Sequence, residues 1–125
     1  MILLLDAHAI LWAIGEPEAL AGGARNAIRD PANDVVASAG SIWQIEIKRS
    51  LGKLRVEVDL VPELERVGVG VLSITAADAT RAARLPLHHR DPFDRMVVAQ
   101  AQRLGAVVVT RDRAFSAYEV DVLPA

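Results

Sequence analysis

The chain opens with four apolar residues, Ile2 to Leu5, that stop abruptly at Asp6, and a second run of the same kind, Ala106 to Thr110, ends two residues before Asp112. Apolar runs that are continuous rather than alternating fit strands covered by helices on both faces, which is the situation in a parallel sheet. Three further runs, Asp34 to Ala37, Val71 to Ile74 and Val120 to Leu123, have the same character, and helical patterning separates them. The predicted architecture is therefore α/β, with a central, mostly parallel five-stranded sheet flanked by helices. The 125 residues contain no internal repeat, low-complexity tract or linker, so a single domain over residues 1–125 is expected, large enough to bury a core unaided.

Local signals mark the helix ends. Ser41 with Gln44 three residues on has capping-box spacing, and Gly52 stands where a C′ glycine would stop that helix. Thr75 with Asp78 opens another, which Pro86 ends near Leu85. Asp91-Pro92 reads as an N-cap followed by proline at N1, starting a helix that runs to Leu104 and closes at Gly105.

Composition narrows the function classes. With no cysteine, disulfide frameworks and thiolate zinc sites are excluded, and a reducing, cytoplasmic setting is expected. The run at residues 1–5 is too short for a signal or spanning segment and lacks a basic leader, so no membrane association is expected. A formal net charge of −2 gives no global attraction to a polyanion; nucleic-acid binding would need a local patch or metal ions. The hydrophobic fraction of 52% fits either an Ala- and Val-rich core or a face covered by a partner.

In open parallel sheets, ligands collect beyond the carboxyl ends of strands where strand order reverses. Asp6 and Asp112 both follow strands, and if the first and fourth strands are neighbours the two flank that switch point. Asp94 lies three residues after Asp91 on nearly the same side of a helix that starts at the same edge. Carboxylates converging in a half-buried cleft repel one another, and a hard cation such as Mg²⁺ or Mn²⁺ compensates them. Such an ion activates water and stabilises charge on a phosphoryl group. Each acid also has a plainer reading: Asp91 as a helix cap, Asp94 as a partner of the helix dipole, Asp112 as a turn residue. Asp6 resists one, because burying an unpaired carboxylate behind four apolar residues is costly.

Other residues read more blandly. His8, His88 and His89 lack a second close ligand pair at helical spacing and are expected to be loop or helix-packing residues rather than zinc ligands. Trp12 and Trp43 sit in apolar helical patterns and are expected in the core rather than as base-stacking platforms. Lys48, Arg49, Lys53 and Arg55 form the one local basic cluster, either an RNA-backbone rim or a solvated helix end.

The blocks Leu3-Leu4-Leu5-Asp6-Ala7-His8-Ala9-Ile10-Leu11-Trp12, Ser38-x-x-Ser41-Ile42-Trp43, Ile47-Lys48 with Leu51-Gly52-Lys53-Leu54, His89-Arg90-Asp91-Pro92-Phe93-Asp94-Arg95 and Val109-Thr110-Arg111-Asp112 occur in this order from Ile2 to about Phe115. Together they resemble the PIN-domain toxins of the VapC type. The resemblance implies a PIN fold, a homodimer, Mg²⁺ or Mn²⁺ dependence, ribonuclease activity on RNA and neutralisation by a VapB-type antitoxin. By position, Asp6, Asp94 and Asp112 match three of the family's acidic metal-site residues, and Asp91 matches an extra aspartate of this subgroup. The fourth acid, a Glu directly after Trp, is here Gln44. Glu46 is near in sequence but stands about 200° around the helix from Gln44. Ala7 replaces a usual Thr.

The expected function is an Mg²⁺-dependent endoribonuclease toxin in which Asp6, Asp94 and Asp112, with Asp91 as an additional candidate, hold the metal. The alternative is a catalytically weakened PIN protein acting mainly as a dimeric antitoxin-binding module, a reading that Gln44 keeps open. A phosphohydrolase using Asp6 as nucleophile ranks last, since it typically wants a second Asp where His8 stands.

Overall fold

In the computed structural model, which describes residues 1–125, five strands form one sheet: β1 (Ile2–Leu5), β2 (Asp34–Ser38), β3 (Gly70–Leu72), β4 (Val107–Thr110) and β5 (Asp121–Pro124). Their order is β3-β2-β1-β4-β5 and every pairing is parallel, so the sheet is wholly rather than mostly parallel. The helices are α1 (Ala7–Gly15), α2 (Gly22–Arg29), α3 (Ala39–Ser50), α4 (Leu60–Arg66), α5 (Ala76–Arg84) and α6 (Pro92–Leu104). The first and fourth strands are indeed neighbours, with Leu5 beside Val109, and the winding reverses between them.

Why the central strands are continuously apolar is visible in where their side chains go. Leu3, Leu5 and Val109 enter a core with Ile10 of α1 and Ile45 of α3. Leu4 and Val108 enter a second core on the other face, with Val97 and Val98 of α6 and with Phe115. Consecutive residues of one strand thus serve opposite layers, and neither face tolerates a polar position.

The helix ends mostly follow the local signals. Asp91 caps α6, and Gly105 ends it in the left-handed conformation at φ 63°. Thr75 and Asp78 form a reciprocal capping box on α5. The start of α3 differs from expectation. Ser38, not Ser41, is the N-cap and accepts from Gly40 N at 3.1 Å. The reason is that β2 pairs through Ser38 with Leu72 and turns straight into the helix, leaving Ser41 buried a turn inside.

The third strand is Gly70–Leu72 rather than Val71 to Ile74; it is an edge strand paired only with β2, and Val71 and Ile74 are exposed. At the opposite edge β5 begins and ends one residue later than expected, and its place at the edge lets Pro124 close it. No helix is long and apolar enough to cross a membrane.

Candidate active site at the β1–β4 edge

The parallel strands deliver their carboxyl ends to one edge, and β1 and β4 deliver an acid each. Asp6 is buried, caps α1 by accepting from Ala9 N at 2.9 Å, and accepts from the Thr110 hydroxyl at 2.5 Å through its other oxygen. The same Thr110 oxygen accepts from Asp112 N at 3.0 Å, so one hydroxyl at the end of β4 links the two aspartates. Asp112, about half exposed, caps the 3₁₀ turn Arg113–Ala117 through Oδ1, which leaves Oδ2 facing inward.

The first turn of α6 supplies the third acid. Asp91 accepts through Oδ1 from Phe93 N at 2.8 Å and Asp94 N at 3.4 Å, the geometry of a helix cap. Asp94, one turn in, reaches toward the strand ends. Between Asp94 and Asp112 stands His89, whose Nε2 is 2.8 Å from Asp94 Oδ2 and 3.1 Å from Asp112 Oδ2. The ligand atoms of these three residues lie within 4.8 Å of one another. Asp6 is outside that set, lower in the cleft, with both oxygens engaged.

His89 therefore corrects the expectation of a mere loop histidine. Its loop is held by two side chains, the nearby Arg95 and the distant Tyr118. Arg95 is buried and donates to the carbonyls of Pro86 and His89, and to Ala82, Ala83 and Leu85 at the open end of α5. The Tyr118 hydroxyl accepts from His89 N at 2.9 Å and donates to Pro86 O at 2.7 Å. His88 lies edge-on to Tyr118, and His8 is exposed and stacked on Trp12. Those two keep packing roles.

The electrostatics agree with the geometry. Burial pushes the Asp6 carboxyl up, against the lowering effect of its Thr110 and Ala9 hydrogen bonds. Asp94 is pushed up to about 6, first by burial and then by the charge of Asp91, with Asp6 and Asp112 adding and His89 opposing. Four aspartates thus share one field without a matching cation from the protein.

Gln44 lines a shallow groove with Ile47, Lys48, Arg90, Asp91 and Phe93, beside the start of α6. Glu46 lies on the other side of α3, exposed and paired with Arg49. The basic cluster divides accordingly. Lys48 reaches the groove, whereas Arg49 is occupied by Glu46, Val56 O and Val58 O, and Arg55 pairs with Glu57. Lys53 is exposed beyond the helix end. Trp43 corrects a second expectation: it is 63% exposed and meets Phe93 edge-on, at the rim of the groove rather than in the core. Trp12 is half-buried against the first core, with the Arg111 guanidinium 4.0 Å above its ring.

The PIN domain model matches residues 3–121. The chain belongs to the PIN-domain family. Ribonuclease VapC22 of Mycobacterium tuberculosis (strain ATCC 25618 / H37Rv) is 29% identical over 114 residues, covering 89% of this PIN domain chain and 87% of that protein. Solved structures with the same fold include VapBC2 from Rickettsia felis bound to a promoter DNA fragment, with TM-score 0.72, 14% identity and 98% of both chains covered. VapBC-1 from nontypeable Haemophilus influenzae gives 0.61 at 16% identity, covering 98% of this chain and 97% of the other. The resemblance to VapC-type PIN domains drawn from the sequence blocks is borne out by these comparisons.

Two residues of the site stand in the blocks that carry the family resemblance, but nothing in the chain marks their roles. Thr110 looked like the last residue of a strand, and His89 like half of a loop pair. Both act through contacts with residues more than twenty positions away.

Proposed function

We propose that this PIN-domain protein is an endoribonuclease that depends on Mg²⁺ or Mn²⁺ and serves as the toxin of a VapBC-type pair. The observation that carries the reading is the convergence of Asp6, Asp94 and Asp112 at the switch point of a parallel sheet, with Asp6 and Asp94 raised chiefly by burial and neither paired with a lysine or arginine. Oxygen donors crowded in this way suit a hard divalent cation. Asp94 and Asp112 would hold it directly, with Asp6 beneath. When bound, the cation supplies Lewis-acid activation of water and offsets charge on the phosphodiester.

The chain's own residues do the rest. Thr110 fixes the Asp6 carboxylate, and Asp91 fixes the first turn of α6 and so the position of Asp94. Lys48 and Arg90, on the groove beside Gln44, are placed to meet an RNA backbone; Lys53 is exposed beyond the end of α3, and the engaged guanidinium of Arg49 is the weakest member of the expected rim. Gln44 brings an amide where the resemblance to VapC-type toxins implies a carboxylate, so the site demands more metal rather than losing its chemistry. A VapB-type antitoxin and a second copy of the chain are the proposed partners. Support comes from the VapBC names of the structural neighbours and from exposed apolar residues such as Trp43 and Leu51. The weakened binding-module reading is not favoured, because the acids do converge.

The test is incubation of antitoxin-free protein with a total RNA pool in Mg²⁺, in Mn²⁺ and in chelator, with the cut ends mapped. Discrete, metal-dependent cuts are expected. Uncut RNA in all three conditions, or cuts that persist in chelator, would withdraw the enzyme reading.

A further inference from the structure

The trio of His89, Asp94 and Asp112 has the composition of a zinc site, but the second nitrogen of His89 argues otherwise. The backbone N–H of Asp91 donates to His89 Nδ1 at 3.2 Å, so Nδ1 presents its lone pair to that donor. A neutral imidazole that accepts at Nδ1 carries its proton on Nε2. The nitrogen facing the cleft is thus an N–H, with Asp112 Oδ2 at 3.1 Å and Asp94 Oδ2 at 2.8 Å, and it has no lone pair to give to a metal.

The tautomer is enforced from the backbone. Asp91 is the N-cap of α6, and its N–H is outside the helix ladder and aimed at the ring. The backbone of His89 is fixed by Arg95 on its O and Tyr118 on its N, and the ring has an edge contact with Phe115. A lone histidine in a loop would choose its tautomer freely. This one is held on three sides.

We propose that His89 is a positioning residue that braces the Asp94 and Asp112 carboxylates through Nε2–H and is not itself a ligand of the metal they would hold. This rests on the metal-site reading above and adds a role for a residue outside its acid set. The brace places one proton between two anionic oxygens, so the carboxylates stand together before a cation arrives. Groups that orient metal ligands in this way are worth about 10- to 100-fold in metal affinity when removed.

The deciding measurement is the nitrogen–proton correlation spectrum of the imidazoles in ¹⁵N-labelled full-length protein, first metal-free and then with Mg²⁺ or Zn²⁺. His89 is expected to show a protonated Nε2 and a bare Nδ1 in the metal-free protein and to keep that pattern with Mg²⁺. A proton on Nδ1 in either condition overturns the inference. So does a shift of the proton to Nδ1 with Zn²⁺, which would make His89 a ligand. In parallel, calorimetry should show Mg²⁺ binding to His89→Ala weakened by about 10- to 100-fold, and largely restored in His89→Gln, whose amide N–H reaches the place of Nε2–H. Equal Mg²⁺ binding by the parent and His89→Ala removes the brace. A parent that binds no Mg²⁺ at all removes the metal-site reading and this inference with it, whereas Nδ1 protonation in a parent that does bind Mg²⁺ removes this inference alone.

Discussion

Two aspartates on neighbouring helices of this molecule sit in opposite electrical circumstances. Asp78, on α5, is paired with Arg103 of α6 at 2.5 and 3.0 Å and closes a capping box with Thr75. Its carboxyl is held down to about 2, chiefly by the Arg103 hydrogen bonds. Asp94, on α6 itself, is half-buried among other acids and is pushed up to about 6. The same side chain on neighbouring helices serves structure where a cation is supplied and works against structure where none is. The region where it works against structure is the one at the switch point, as expected of a site that holds a ligand rather than a fold.

The contrast can be broken most sharply at Asp94. Asp94→Asn should reduce metal-dependent RNA cleavage by more than about 100-fold, the scale of losing a group that acts on the developing charge. The same change should raise the melting temperature of the metal-free protein, because it removes a half-buried charge crowded by Asp91, Asp6 and Asp112. Parent-level cleavage by Asp94→Asn, or a lower melting temperature, would show that Asp94 is an ordinary structural acid.

At the other pole, Arg103→Met should lower the melting temperature by several degrees, since it strands Asp78 in the interior with only the Thr75 contacts. It should also remove an acid limb. A carboxyl depressed to about 2 from 3.8 contributes stability that is complete above its unfolded value and is lost as pH falls through about 4 toward 2. Asp94 has the reverse sign. Its elevated carboxyl favours the folded state at low pH, so metal-free stability should fall as pH rises from about 4 through about 6, and this slope should shrink in Asp94→Asn, leaving the part that the raised Asp6 carboxyl contributes. Thermal melts in chelator across pH 3 to 7, run in parallel on the two variants, would check both signs.

Smaller effects sharpen the boundary between cap and site. Asp91→Ala should cost about 0.5 to 2 kcal/mol by denaturant unfolding, while Asp91→Ser should be near neutral and keep its cleavage. Loss of cleavage in a normally stable Asp91→Ser would move Asp91 into the site. The smallest change is expected at α3. Gln44→Glu should lower the metal concentration for half-maximal cleavage, and Glu46→Gln, tied to Arg49 on the far side, should leave it unchanged.

How much of this could be read along the chain depends on the range of the interaction. β1 and β4 were legible because both faces are buried and the apolar runs are unbroken; α6 was legible because Asp91-Pro92 and Gly105 are local signals. The helices α2 and α4 were not, being short and starting at Ala21 and Asp59 without a side-chain cap. Ser38 and Ser41 each offer a plausible cap, and only the pairing of Ser38 with Leu72 decides between them. Asp6, Asp94 and Asp112 were legible as strand-end and helix-start acids. The role of His89 was not, because it depends on a partner at Asp112 and on a loop shaped by Arg95 and Tyr118.

Arg95 has a mechanical consequence beyond holding a loop. It is the residue after Asp94, and its guanidinium gathers five carbonyls from the end of α5 and the segment that follows. Helix and segment are riveted at a single point, so Asp94 and His89 travel as one piece and their spacing cannot open without withdrawing a buried cation from all five acceptors. The facing wall, where Gln44 and Lys48 of α3 line the groove, has no such rivet to the His89 segment, so under the proposed function room for an RNA strand would be made on that side.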